Sequence, residues 1–114
     1  MFGGSRPLAI AAGDGWEVVA RRRFVERLVT HTVARIPGIA HVDTQSVLAD
    51  EDGIYVHCKA VTGRGAKPGP VAADVQGEVR DALRRMLGVR LGGVRLELRA
   101  PRAKGPGMVY QLPG

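Results

Sequence analysis

The sequence has a single cysteine, Cys58. An intramolecular disulfide and a thiolate-rich zinc site are both excluded, and a reducing cytosol is the simplest compartment. Aromatic residues make up only 4% of the chain. A core must therefore be built from Val, Leu, Ile and Ala, and an RNA-reading sheet with two or three stacking rings is short of rings. No apolar run reaches the roughly 20 residues that a spanning helix needs. The stretch Leu8-Ala-Ile-Ala-Ala is short even for the apolar segment of a signal peptide. Direct membrane insertion is not expected, so a role at a membrane requires a partner that brings the chain there. Internal repeats are also lacking.

The 114 residues suit one modest core, and 45% apolar content fits a globular chain. The formal charge is +6, carried by 14 arginines and only 3 lysines. A basic balance suits acidic partners: nucleic acid, an anionic surface or an acidic protein.

Glycine and proline divide the chain. Residues 1–14 read as a flexible leader, 15–100 as one domain and 101–114 as a flexible tail. Trp16-Glu-Val-Val-Ala20 reads as a short strand or as the first turn of the helix that follows. Val25, Val29, Val33 and Ile36 recur at helical spacing from Arg22, and Pro37-Gly38 ends that helix. The period then changes to two. Ile54, Val56, Cys58 and Ala60 alternate with Tyr55, His57 and Lys59, preceded by a strand over about residues 41–49 and a turn at Asp52-Gly53. A three-residue loop places Val42, Thr44, Ser46 and Leu48 toward the core. A two-residue loop would bury Asp43 and Gln45 instead, so the longer loop is preferred. Pro70 suits the first position of a second helix, with Val71, Val75, Val79, Ala82, Leu83 and Met86 as its stripe and Gly88 as its cap. Val94, Leu96 and Leu98 alternate with Arg95, Glu97 and Arg99 as a half-buried strand. The expected fold is α+β: a four-stranded antiparallel sheet with two helices on one face, in βαββαβ ferredoxin-like order.

No catalytic constellation is visible. His31, His41 and His57 fall on separate elements, so three convergent metal ligands are not expected. Cys58 has the alternation of a core residue. Asp50-Glu51-Asp52 lacks the staggered ligands of a calcium loop and reads as a solvated hairpin tip. Gly63-Arg-Gly-Ala-Lys-Pro-Gly69 lacks the Gly-Lys-Ser/Thr ending of a phosphate loop and reads as a linker. Arg22, Arg23 and Arg27 on the first helix, with Arg95 and Arg99 on the open sheet, are the candidate partner or anion contacts. A short apolar strip, Met108-Val-Tyr-Gln-Leu112, could add a strand to a partner sheet.

Three segments carry a family resemblance: Val33-Ala-Arg-Ile-Pro-Gly-Ile39, Val71-Ala-Ala-Asp-Val-Gln-Gly-Glu-Val79, and the run from Met86 through Gly88 to Leu98. Over roughly residues 15–100 the chain resembles the alkaline shock protein family of bacterial envelope-stress proteins. The family's Tyr-Gly pair before its second helix is replaced here by residues 61–69. The resemblance implies a cytoplasmic, non-catalytic, homo-oligomeric scaffold that needs no cofactor. It also implies a membrane-anchor protein as partner and a role in envelope homeostasis. A small basic nucleic-acid-binding module is the alternative.

Overall fold

The computed structural model describes residues 15–114, with side chains from residue 21. The leader expected at 1–14 lies outside the described residues. Two helices and four strands follow in the order α1 (Gly15–Ala34), β1 (Ile39–Asp50), β2 (Gly53–Thr62), α2 (Pro68–Leu87), β3 (Leu91–Arg99) and β4 (Met108–Pro113). The fold class is α+β, with one four-stranded sheet ordered β1-β2-β3-β4. Both helices pack on the same face of that sheet, since the buried stripes of α1 and α2 join the inward residues of the strands in one core.

The element order differs from the expected one at both ends, and each difference has a physical cause. Residues 16–20 belong to α1 and not to a strand. In a split βαβ arrangement an N-terminal strand lies between the two strands that a helix connects. Here no such strand intervenes. The α2 crossover returns the chain to the end of the sheet from which β2 started, so β3 lies directly beside β2 and parallel to it. The sheet is therefore mixed: β1 and β4 are antiparallel to their neighbours, while the central pair is parallel.

Residues 108–113, expected in a flexible tail, supply the fourth strand. The strip adds a strand to its own sheet. Met108, Tyr110 and Leu112 fall opposite Leu98, Leu96 and Val94. The return is fixed by the Gly107 N–H, which donates to Glu97 Oε2 at 3.1 Å, and by Gln76 Nε2, which donates to the Pro113 carbonyl at 2.8 Å.

The helical stripes are those expected, with Ala72 added to and Met86 missing from the second. Val25, Val29, Val33 and Ile36 of the first segment are buried, as are Val71, Ala72, Val75, Val79, Ala82 and Leu83 of α2. The second helix starts two residues earlier than expected, with Pro68 directly after the N-cap Lys67. Met86, placed in the stripe, is exposed. Gly88 adopts a left-handed φ of 66° and donates its N–H to the Arg84 carbonyl at 3.0 Å, which ends α2.

β1 has the register that the sequence argued against. Asp50 pairs with Gly53 across a two-residue connection, which sets Val47 opposite Val56 and Gln45 opposite Cys58. Val47 is buried and Leu48 is 65% exposed. The objection to this register was the burial of Asp43. A register shift between Val42 and Thr44 removes it, because the extra residue turns Asp43 out to solvent. Gln45 does turn inward, and its Oε1 has no hydrogen-bond partner among the described residues.

The register predicts opposite outcomes for adjacent positions. Val47→Asp places a charge in the core and should cost about 3 kcal/mol or more. Leu48→Asp should change stability by about 1 kcal/mol or less. Urea denaturation of the two variants checks this, and the reverse ranking would restore the three-residue loop.

Candidate interaction surface

With both helices on one face, the other face of the sheet has no covering element among the described residues. The strand registers arrange its side chains in rows. One row runs Leu48, Tyr55, Gly93, Pro113, the next Ser46, His57, Arg95, Gln111, and the third Thr44, Lys59, Glu97, Val109. The first row is apolar, the second holds only polar and charged groups, and the third is polar and charged up to Val109 at its β4 end. Leu48, Tyr55 and Val109 are all large and exposed, Tyr55 at 37% and Val109 at 43%. The Tyr55 ring lies against the Gly92–Gly93 backbone, where a Cβ on Gly92 would stand 2.9 Å from the ring. Partial burial, and then the carboxylates of Asp50 and Asp52, push the Tyr55 phenol above its ordinary range. It therefore remains an O–H donor at neutral pH.

The five arginines singled out in the sequence do not form one surface. Arg22, Arg23 and Arg27 are exposed on α1, while Arg95 and Arg99 lie on β3. Arg22 holds the fold together: its Nη2 donates to the Val47 carbonyl at 3.1 Å and so ties α1 to β1. Arg99 donates to Asp43 Oδ2 at 3.3 Å, and the same carboxylate meets His41 Nε2 at 2.9 Å through Oδ1. Arg95 stands exposed beside His57 in the middle row.

The two sheet edges differ. β1 has two register shifts, and the Arg22 guanidinium sits on its backbone. Both features hinder pairing with another strand. β4 is only six residues long and ends in Pro113, which has no N–H to offer. Lateral strand addition is therefore restricted at both edges, and the uncovered face is the broader surface.

His31 is exposed on α1, His41 faces Asp43, and His57 pairs with Ser46 and Arg95. Among the described residues no three His, Cys, Asp or Glu side chains are grouped as a metal site would require. Cys58 is fully buried, and burial, followed by the charge of Asp43, pushes its thiol up to about 11.

No protein-family model matches this chain, and no curated protein matches it either. Among solved structures it is similar to the MamM CTD, in a variant with three substitutions. The TM-score is 0.54 at 14% identity, over 73% of this chain and 99% of that one. At that identity the likeness is one of fold, and the MamM CTD is ferredoxin-like. Among the described residues no helix is long and apolar enough to cross a membrane.

Sequence reasoning missed three contributors to this surface. Leu48 was assigned to the core because the bulge at Asp43 has no strong sequence signature. Val109 and Gln111 were assigned to the tail, although the alternation Met108-Val-Tyr-Gln-Leu112 is itself a strand pattern.

The buried thiol gives a pH dependence of known sign. The native state retains the Cys58 proton after the unfolded chain, with a thiol near 8.5, has released it. Its contribution is thus fully present below about pH 8.5 and is lost as pH rises through about 11. Denaturation profiles between these limits should show a loss on the order of 3 kcal/mol that Cys58→Ala lacks. Equal slopes in the two proteins would show that the thiol ionises freely in the native state.

Proposed function

We propose that this chain is a non-catalytic scaffold domain that assembles with copies of itself through the open face of its sheet. The observation that carries the reading is the uncovered face with its apolar row Leu48, Tyr55, Gly93, Pro113, and with Val109 exposed two rows away on β4. Contiguous exposed apolar side chains mark interaction surfaces more often than isolated ones do. Leu48 and Tyr55 are paired neighbours, whereas Phe24 on α1, Met86 on α2 and Met108 on the core side of β4 are exposed away from this face. The neighbouring rows hold Arg95, Lys59 and Glu97, so the surface mixes both signs of charge and is self-complementary in principle under two-fold symmetry. The resemblance to the alkaline shock proteins supplies the setting: a cytoplasmic protein of envelope homeostasis, held near the membrane by an anchor partner.

The competing reading, a nucleic-acid module, has weaker support on this face. Tyr55 and His57 are the two rings in the three rows, neither Phe nor Trp joins them, and Arg99 is engaged by Asp43. Base-stacking surfaces normally present several rings.

Size-exclusion chromatography with light scattering, read at protein and nucleic-acid wavelengths in low and high salt, separates the two. The expected result is an oligomer free of nucleic acid that persists in high salt, because apolar contact is not weakened by counterions. The double substitution Leu48→Asp, Val109→Asp should convert it to a monomer. A monomer that carries nucleic acid in low salt and sheds it in high salt would instead establish phosphate contacts as its main interaction.

A further inference from the structure

At the end of the sheet where β2 and β3 begin and β4 ends, an open cleft of about 660 Å³ is lined by Arg80, Arg84, Arg90, Tyr55 and Asp52 among others. Three arginines and one aspartate line this concave space, together with the backbone of residues 88–92 and of Gly114. Arg80 and Arg84 are one turn apart on α2 and so share a face of the helix. Arg90 joins them from the connection to β3, and its backbone is fixed: the Ile54 N–H donates to the Arg90 carbonyl at 2.8 Å. Gly53 permits that approach, since a Cβ there would stand 2.3 Å from the same carbonyl oxygen.

The bland explanation for arginine at this place is the helix dipole, which favours cations near the last turn. It accounts for Arg84, which lies in the last turn of α2. It does not account for Arg80, further back, or for Arg90, beyond the helix. Among the described residues the side chains of Arg84 and Arg90 have no hydrogen bond or ion pair, and Arg80 has only a 3.9 Å approach to the exposed Asp81. Like charges held in one concavity concentrate a positive potential that an anion relieves. Guanidinium groups match phosphate oxygens in paired hydrogen bonds.

We propose that this cleft binds a small phosphate ester, with Arg84 and Arg90 holding the phosphate and Arg80 adding charge. Its volume lies in the range typical of small-molecule sites. The hairpin tip Asp50-Glu51-Asp52 borders it, and Asp52 forms part of the wall. That acidic rim repels the continuation of a long polyanion but leaves room for a single phosphate. The Tyr55 hydroxyl is engaged by the Asp52 carboxylate on the sheet side of the cleft, which leaves the arginines as the ligand's donors.

Tyr55 borders both the cleft and the open face, so the test is run on a Leu48→Ser, Val109→Ser background, which adds no charge beside the cleft, as well as on the unaltered chain. Amide spectra are recorded during titration with inorganic phosphate, adenosine monophosphate and a short single-stranded oligonucleotide at constant ionic strength. Saturable shifts of Gly88, Arg90 and Gly92 with adenosine monophosphate are expected. The pair Arg84→Gln, Arg90→Gln should weaken that binding at least tenfold, while Arg23→Gln, Arg27→Gln on α1 leaves it unchanged. Inorganic phosphate binding as tightly as the nucleotide would assign the recognition to the phosphate alone, within the proposal. Absence of saturable shifts would overturn it. So would equal losses in the two variant pairs, or binding by the oligonucleotide alone.

Discussion

The parallel contact between β2 and β3 organises the molecule. Val56, Cys58 and Ala60 lie beside Val94, Leu96 and Leu98, all buried on one face. A parallel pair requires a long crossover, and here α2 provides it and covers the face it crosses. Helix α1 fills the rest of that face over β1, so both helices are spent on one side. The other side is left to solvent or to a partner. The same crossover brings the end of α2, the start of β3 and the β1–β2 hairpin to one end of the sheet, which creates the arginine-lined cleft. The two candidate surfaces thus follow from a single topological choice.

Much of this was legible in the residues. Helical spacing identified both buried stripes, and alternation identified β2 and β3 with the correct faces. What escaped was decided by contacts distant in sequence. Trp16-Ala20 carries strand-forming valines, but it continues directly into a strong helical pattern and is absorbed by it. The β4 segment is short and surrounded by glycine and proline. It becomes a strand because β3 offers it an unpaired edge, with Glu97 and Gln76 to hold its ends. In β1 the alternation alone points the wrong face inward, because it counts the burial of Asp43 as a penalty that one extra residue in the strand removes.

The charged residues show a similar division. The run Arg21-Arg22-Arg23 is conspicuous in the sequence, yet Arg22 serves as a tie between α1 and β1. Arg80, Arg84 and Arg90 are inconspicuous because Arg90 is separated from the helical pair by the turn that ends α2. Only the fold brings the three to one cleft. Spacing of four between Arg80 and Arg84 was the available signal, and it could not show what lay opposite.

The open sheet face as the site of self-contact is tested most directly by amide spectra recorded over increasing protein concentration. Shifts and broadening should concentrate at Ser46, Leu48, Tyr55, His57, Arg95 and Val109, with the outer surfaces of α1 and α2 unaffected. Changes confined to the helices, or none at concentrations where scattering reports an oligomer, would place the contact elsewhere and contradict this assignment.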